Sequence, residues 1–413
     1  MTHWLGLGLP LQAPPANVKL SRKAFQVHML PLDVLETVCA HFDKHHWATL
    51  KSFIALTSCC KAIWQREDVL ASTKLWGYLD LHARSCQNYT AVLSVAAWVS
   101  RHCRGLRKCE LFISDYWPIL KPFRPATLLP LTDALVDSSL TTLRVHFPME
   151  AVLREELAQL LPRLPTLPDL RIYAMASRSG QLLPDQLSVL CGLRALSIYD
   201  FEATIGLREN ETLGKPTWQF LPCLKALTAF RIGCCKLTAL PPQLSALTRL
   251  ARFSISWNYE LDHGTDISNS SHEAWAPLQR LTALTKLKLD NCDLRRLPGA
   301  LASLGQLRKL GLGGNSQLGR VPGAWEPLSA LTALTTLQLS GCGIDRLPGQ
   351  LSALCVLEEL DISWNPELSW GRAAWEPVQA LTALARLYVH GVRLLRPPEL
   401  PETCRAAQCL RSI

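Results

Sequence analysis

The stretch Leu284-Thr-Lys-Leu-Lys-Leu-Asp-Asn-Cys292 is followed, after a Leu-Pro step at 297–298, by Leu307-Arg-Lys-Leu-Gly-Leu-Gly-Gly-Asn315. Both obey one pattern, L-x-x-L-x-L-x-x-N/C. It returns at Leu334, Leu337, Leu339, Cys342 and at Leu357, Leu360, Ile362, Asn365, with a weaker copy at Leu384, Leu387, Val389, Val392. Upstream it reads Leu227, Phe230, Ile232, Cys235 and Leu250, Phe253, Ile255, Asn258. Landmarks between the copies keep step with them. Trp275, Trp325 and Trp375 stand 50 residues apart, while the Leu-Pro pairs (240–241, 297–298, 347–348) and Asn258, Asn315, Asn365 are spaced by 57 and then 50. One seven-residue insertion in the polar stretch 263–271 brings all three series into one register.

The pattern has a physical reading. The L-x-L step is a short strand whose alternate side chains point inward. The Asn or Cys marks the exit from the strand, where an Asn amide can bond the backbone of its own and the neighbouring turn. The segment after Leu-Pro returns the chain on the opposite side. One such unit cannot bury its apolar face alone, whereas a stack buries a continuous core. Trp275, Trp325 and Trp375 are expected to pack between units. Degenerate copies at Leu193/Leu196/Ile198, Leu167/Leu170/Ile172, Leu140/Leu143/Val145 and Leu106/Cys109/Leu111 bring the count to about eleven units over 106–396. The pattern resembles the leucine-rich-repeat family. The implied fold is an α/β leucine-rich-repeat solenoid, a horseshoe with parallel strands on its concave face.

Composition agrees with a stack rather than one globular core. The 413 residues are 48% hydrophobic but only 7% aromatic, and 19% are charged. That much aliphatic side chain excludes global disorder. The net charge of +9 is spread thinly, with 11 Lys/Arg against 6 Asp/Glu over 1–105 and 32 against 28 beyond, so bulk nucleic-acid binding is not expected. The 15 cysteines form no C-x-x-C pair, which argues against a zinc ribbon. Reduced thiols and a cytoplasmic or nuclear location fit this usage. No apolar run reaches the length of a membrane span. Hydrolase, metalloprotease and phosphate-loop motifs are missing, so no catalytic residue, cofactor or metal is assigned and the expectation is a non-enzyme.

Residues 28–66 do not follow the repeat. Leu30-Pro31-Leu32-Asp33-Val34-Leu35 opens an amphipathic helix, with Pro and Asp suited to its first turn. A second helical pattern runs Phe53-Ile-Ala-Leu56-Thr-Ser-Cys59-Cys60-Lys61-Ala-Ile-Trp64. This all-helical module resembles an F-box, with a longer link between the helices and Trp64 one residue late. The order of an F-box, a Leu-Trp-x-x-Leu-Asp-Leu segment at 75–81, a helix and then repeats is similar to that of F-box/leucine-rich-repeat proteins. The domains are therefore read as a tail (1–27), the F-box-like module (28–66), a helical linker or N-terminal cap (67–105), the repeats (106–396) and a C-terminal tail (397–413).

The resemblance implies a substrate receptor of an SCF-type cullin–RING ubiquitin ligase. Leu30, Pro31, Val34, Leu35, Phe53, Leu56 and Cys60 would then contact a Skp-type adaptor. The competing reading is a scaffold for a kinase, phosphatase or small GTPase, in which the same helices only cap the solenoid. In either case the concave face would bind protein. Arg144, Arg171 and Arg231 fall beside His146, Tyr173 and Tyr199, and Tyr and Arg are enriched at binding hot spots. This cluster suits an acidic or phosphorylated segment of a protein, with Trp257 and Trp364 extending the surface. Gly311, Gly313 and Gly314 are expected to leave a bare stretch open to another backbone.

Overall fold

The computed structural model describes residues 78–82, 97, 99, 100, 104, 106–112, 129–147, 158–174, 185–200, 218–235, 237–261, 271–368, 372–392 and 410–411. The chain divides into two compact units, Met1–Leu75 and Trp76–Ile413. The F-box-like module, with Leu30, Pro31, Val34, Leu35, Phe53, Leu56 and Cys60, lies outside the described residues.

The second unit is built on a thirteen-stranded parallel sheet in strict chain order. Its strands are β1 (Tyr78–His82), β2 (Lys108–Phe112), β3 (Thr142–Phe147), β4 (Asp169–Ala174), β5 (Ala195–Asp200), β6 (Ala229–Gly233), β7 (Arg252–Ser254), β8 (Lys286–Lys288), β9 (Lys309–Gly311), β10 (Thr336–Gln338), β11 (Glu359–Asp361), β12 (Arg386–Tyr388) and β13 (Leu410–Arg411). Strands β2–β12 coincide with the eleven sequence units. The sheet also runs past them at both ends. Tyr78–His82 is a strand inside the stretch read as a helical linker, paired with β2 in register, Leu79 opposite Cys109 and Leu81 opposite Leu111. In the C-terminal tail, Leu410 and Arg411 pair with Leu387 and Tyr388.

Leucines in register form the spine. Leu287, Leu310, Leu337, Leu360 and Leu387 pair in sequence across β8–β12, and each is at most 1% exposed. The return side is made of 3₁₀ turns, at Pro242–Ala246, Ala276–Arg280, Gly299–Ser303, Glu326–Ala330 and Gly349–Ala353. The reason is a leucine at every third residue. A 3₁₀ helix has three residues per turn, and the same three-residue step continues past the turn Gly299–Ser303, so that Leu301, Leu304 and Leu307 are all buried. Their backbones chain together as well, Leu304 N–H to Leu301 O and Leu307 N–H to Leu304 O, both 2.9 Å.

The two slower landmarks of the sequence prove to be bonded to each other. Leu240, Leu297 and Leu347, each ahead of a Pro, donate their N–H to the carbonyls of Ala274, Ala324 and Ala374 in the next unit, at 2.9, 2.8 and 3.1 Å. Trp275, Trp325 and Trp375 follow those alanines and are buried among the stacked turns.

Asparagines close the strand exits. Asn315, fully buried, accepts the N–H groups of Cys292 and Leu294 (both 3.0 Å) and donates to the carbonyls of Leu289 (2.9 Å) and Leu312 (2.6 Å). Asn258 and Asn365 repeat this with Cys235/Leu237 and Cys342/Ile344. Cysteine fills the slot in the alternate units. Cys292 Sγ donates to Ile255 O at 3.4 Å and Cys342 Sγ to Leu312 O at 3.2 Å. Burial pushes both thiols from the ordinary 9.0 up to about 12. Among the described residues no helix is long and apolar enough to cross a membrane, and no group of His, Cys, Asp or Glu is placed to hold a metal.

Candidate functional site

The face of the sheet opposite the leucines is open, and its side chains come from every second strand position. On β3–β5 the third of these positions holds His146, Tyr173 and Tyr199, paired in direct register. Their rings stack, His146 on Tyr173 at 4.4 Å and Tyr173 on Tyr199 at 5.3 Å, each pair within 9° of parallel. Parallel strands about 4.8 Å apart set this spacing, so the stack is a product of register. Tyr199 ends it by lying over Gly233 of β6, where an added methyl would meet Cδ1 at 2.5 Å. Burial raises the Tyr199 pKa, and the guanidinium of Arg231 partly opposes that shift through charge and a hydrogen bond.

The arginines of the cluster are mostly engaged within the protein. Glu110 of β2, only 7% exposed, receives Arg144 Nη1 at 3.1 Å and His146 Nε2 at 2.9 Å. Asp169 receives Arg171 Nη2 at 3.1 Å. Arg144 and Arg171, expected to meet a partner's carboxylate or phosphate, each also hold a carboxylate of their own sheet while staying partly exposed. Glu110–Arg144 bridges β2 and β3, whereas Asp169–Arg171 lies within β4, both on the same face as the stacked rings. Arg231 is the member of the trio that reaches solvent beyond the stack.

The structure brings Arg144, His146, Arg171, Tyr173, Tyr199 and Arg231 together on β3–β6, but not the two tryptophans. Trp257 follows β7 and Trp364 follows β11, four strands on, or about 19 Å at the usual strand spacing. Both occupy a column where the backbone turns left-handed. Cys234, Trp257, Asn291, Gly314, Gly341, Trp364 and Gly391 have φ of 57, 66, 54, 76, 64, 58 and 67° in successive units. Gly and Asn accept that conformation, whereas a bulky side chain is strained there. Trp257 is 44% exposed and Trp364 68%. Trp257 meets Tyr259 edge-on at 6.2 Å, and Trp364 lies against Gly391.

The glycines of β9 are not a bare stretch. Asp290 of the preceding unit leans over them. A methyl on Gly311 would meet its Oδ1 at 2.8 Å, and Gly313 donates its N–H to the same oxygen at 3.0 Å. A methyl on Gly314 would meet Asn291 Oδ1 at 2.1 Å. These glycines make room for Asp290 and Asn291, which follow β8.

Sequence reasoning passed over Glu110 and Asp169 as partners, and a row of cations at the first outward position, Arg252, Lys286 and Lys309. The available signal was that each directly precedes the first strand aliphatic in three successive units.

No protein-family model and no curated protein matches the sequence. Among solved structures, an internalin of Listeria monocytogenes is similar at 17% identity, with 76% of this chain and 81% of that one covered and a TM-score of 0.39. A leucine-rich-repeat protein of Leptospira interrogans is similar at 17% identity over 64% and 69%, with a TM-score of 0.40. The leucine-rich-repeat fold of the present chain is carried by its own strand register and asparagine ladder.

Proposed function

We propose that the chain is a protein-binding subunit whose open strand face receives a protein partner, and that it serves as the substrate receptor of a cullin–RING ubiquitin ligase. The carrying observation is the His146–Tyr173–Tyr199 stack. It offers three adjacent half-buried rings flanked on the same face by the Glu110–Arg144 and Asp169–Arg171 pairs. Rigid aromatic surface with polar edges binds protein at low entropic cost. The ligase half of the reading is supported by the F-box-like residues of 28–66, where Leu30, Pro31, Val34, Leu35, Phe53, Leu56 and Cys60 would dock a Skp-type adaptor. The protein would then act in the cytoplasm or nucleus.

Co-expression of the full chain with a Skp-type adaptor tests this. The wild type should co-purify the adaptor, and Pro31→Ala/Leu35→Ala should lose it. No adaptor with the wild type removes the ligase reading and leaves the scaffold reading, in which the stack still binds protein.

A further inference from the structure

We infer that strands β6–β9 carry a second contact surface, built for a short carboxylate-rich segment of a protein partner held in extended form. The inference rests on the open face being a protein-binding face.

Arg252, Lys286 and Lys309 stand directly opposite one another on three adjacent strands. Lys288 on β8 and Arg231 on β6 occupy the next outward position, with Ser254 between them. All five are exposed or half-exposed. The acid beside them is Asp290, 3.8 Å from Lys288 Nζ, and its other oxygen is taken by the Gly313 N–H. Arg252, Lys286 and Lys309 make no salt bridge to any described residue.

Like charges directly opposite one another on paired strands destabilise a sheet. Nothing in the fold requires them here, because neutral Ala229 and Thr336 hold the same row on the flanking strands. The Lys286 pKa is lowered, first by burial and then by Lys288, Lys309, Arg231 and Arg252, so the repulsion is felt in the free protein. An anionic occupant relieves it.

The neighbourhood selects the kind of anion. The strip is three strands wide, about 10 Å, and beyond it the open face is charge-balanced, its carboxylates already holding cations, Glu110–Arg144 and Asp169–Arg171 on one side and Glu359–Arg386 on the other. A long polyanion crossing the sheet would run its phosphates over those paired charges, whereas a short acidic segment would not. Along β7 the strip leads to the exposed pair Trp257 and Tyr259. Arg252 and Trp257 are separated by about 16 Å of extended chain, so a segment of about five residues reaches both, acidic at one end and apolar at the other.

The test uses the full chain and a fluorescent peptide of consecutive glutamates ending in leucine. Binding should weaken with salt and fall at least about tenfold in Lys286→Gln/Lys309→Gln, with Arg320→Gln unchanged. The double variant should melt no lower than wild type, since it sheds repulsion. Equal binding by the double variant, or none by the wild type, overturns the inference. A phosphoserine peptide that binds more tightly than the glutamate peptide overturns the carboxylate assignment. If binding disappears in Tyr173→Ala but survives in the lysine variant, the protein-binding reading stands and the strip falls. Preferential binding of duplex DNA or RNA, displacing the peptide, overturns both.

Discussion

Tyr199 lies face-down on Gly233, so close that a methyl there would be 2.5 Å from its Cδ1 and 2.7 Å from its Cε1. The last ring of the stack therefore rests on a residue with no side chain, and the other rings rest on it. Gly233→Ala should tilt Tyr199, loosen the stack and cost about 1–3 kcal/mol. Near-UV circular dichroism should report the change in tyrosine packing. Gly305→Ala is the control, because nothing lies within 4 Å of the added methyl. It should be neutral or stabilise by a few tenths of a kcal/mol.

Asn315→Ala should be among the most damaging single changes. It strips two N–H groups and two carbonyls of their partners in a fully buried setting. Each orphaned group costs about 1–3 kcal/mol, so a loss of about 3 kcal/mol or more is expected in urea titrations. Cys292→Ala removes only weak S–H bonds and a small volume, and should cost about 1 kcal/mol. Equal effects of the two would show that the asparagine bonds do not carry the strand exits.

Trp364→Asn should not destabilise the protein, unlike the removal of most aromatic side chains. The indole is 68% exposed and its residue sits at φ 58°, which costs a bulky side chain about 1–2 kcal/mol. Asn already stands at the same column position in this chain, at residue 291 with φ 54°. A melting temperature equal to or above wild type is expected. A marked fall would show that the contact with Gly391 outweighs the backbone strain.

The buried thiols make stability fall at alkaline pH. Cys292 and Cys342 ionise near 9.0 when unfolded, but burial holds them at about 12 in the native state. Below pH 9 both states keep the protons and nothing changes. Between about 9 and 12 only the unfolded chain sheds them, so stability declines across that window. In alkylation at pH 8 followed by peptide mapping, exposed Cys191, Cys223 and Cys355 should label, and Cys235, Cys292 and Cys342 should stay protected until the protein unfolds.

The eleven strands β2–β12 and the asparagine slot were legible because a solenoid writes the same contacts into the sequence again and again. The charge pairing was not. Arg144 meets a carboxylate 34 residues back, in a unit of irregular length, and no spacing rule connects them. The strip of Arg252, Lys286 and Lys309 was missed for a simpler reason. Side chains alternate along a strand, so the residue before the first strand apolar residue faces outward too, yet the repeat consensus begins after it and does not mark it. The strain at Trp257 and Trp364 left no trace in the hydrophobic pattern, which says nothing of where the backbone turns left-handed.

The ladder bonds do not treat all junctions alike. Each asparagine grips the cysteine unit before it with N–H and carbonyl bonds, always at a separation of 23 residues to the cysteine N–H. At the slot itself the cysteine reaches back through a thiol, a weaker bond than the amide's, at separations of 37 and 30 residues to the accepting carbonyl. Strand bonds such as Thr285 N–H to Ala251 O at 2.9 Å cross this junction too. The seven-residue insertion falls in that looser junction. The heritable brick of this half of the protein is therefore a doublet. Gains and losses of whole doublets keep asparagine next to cysteine, whereas loss of a single unit would set like beside like and leave a seam in the stack.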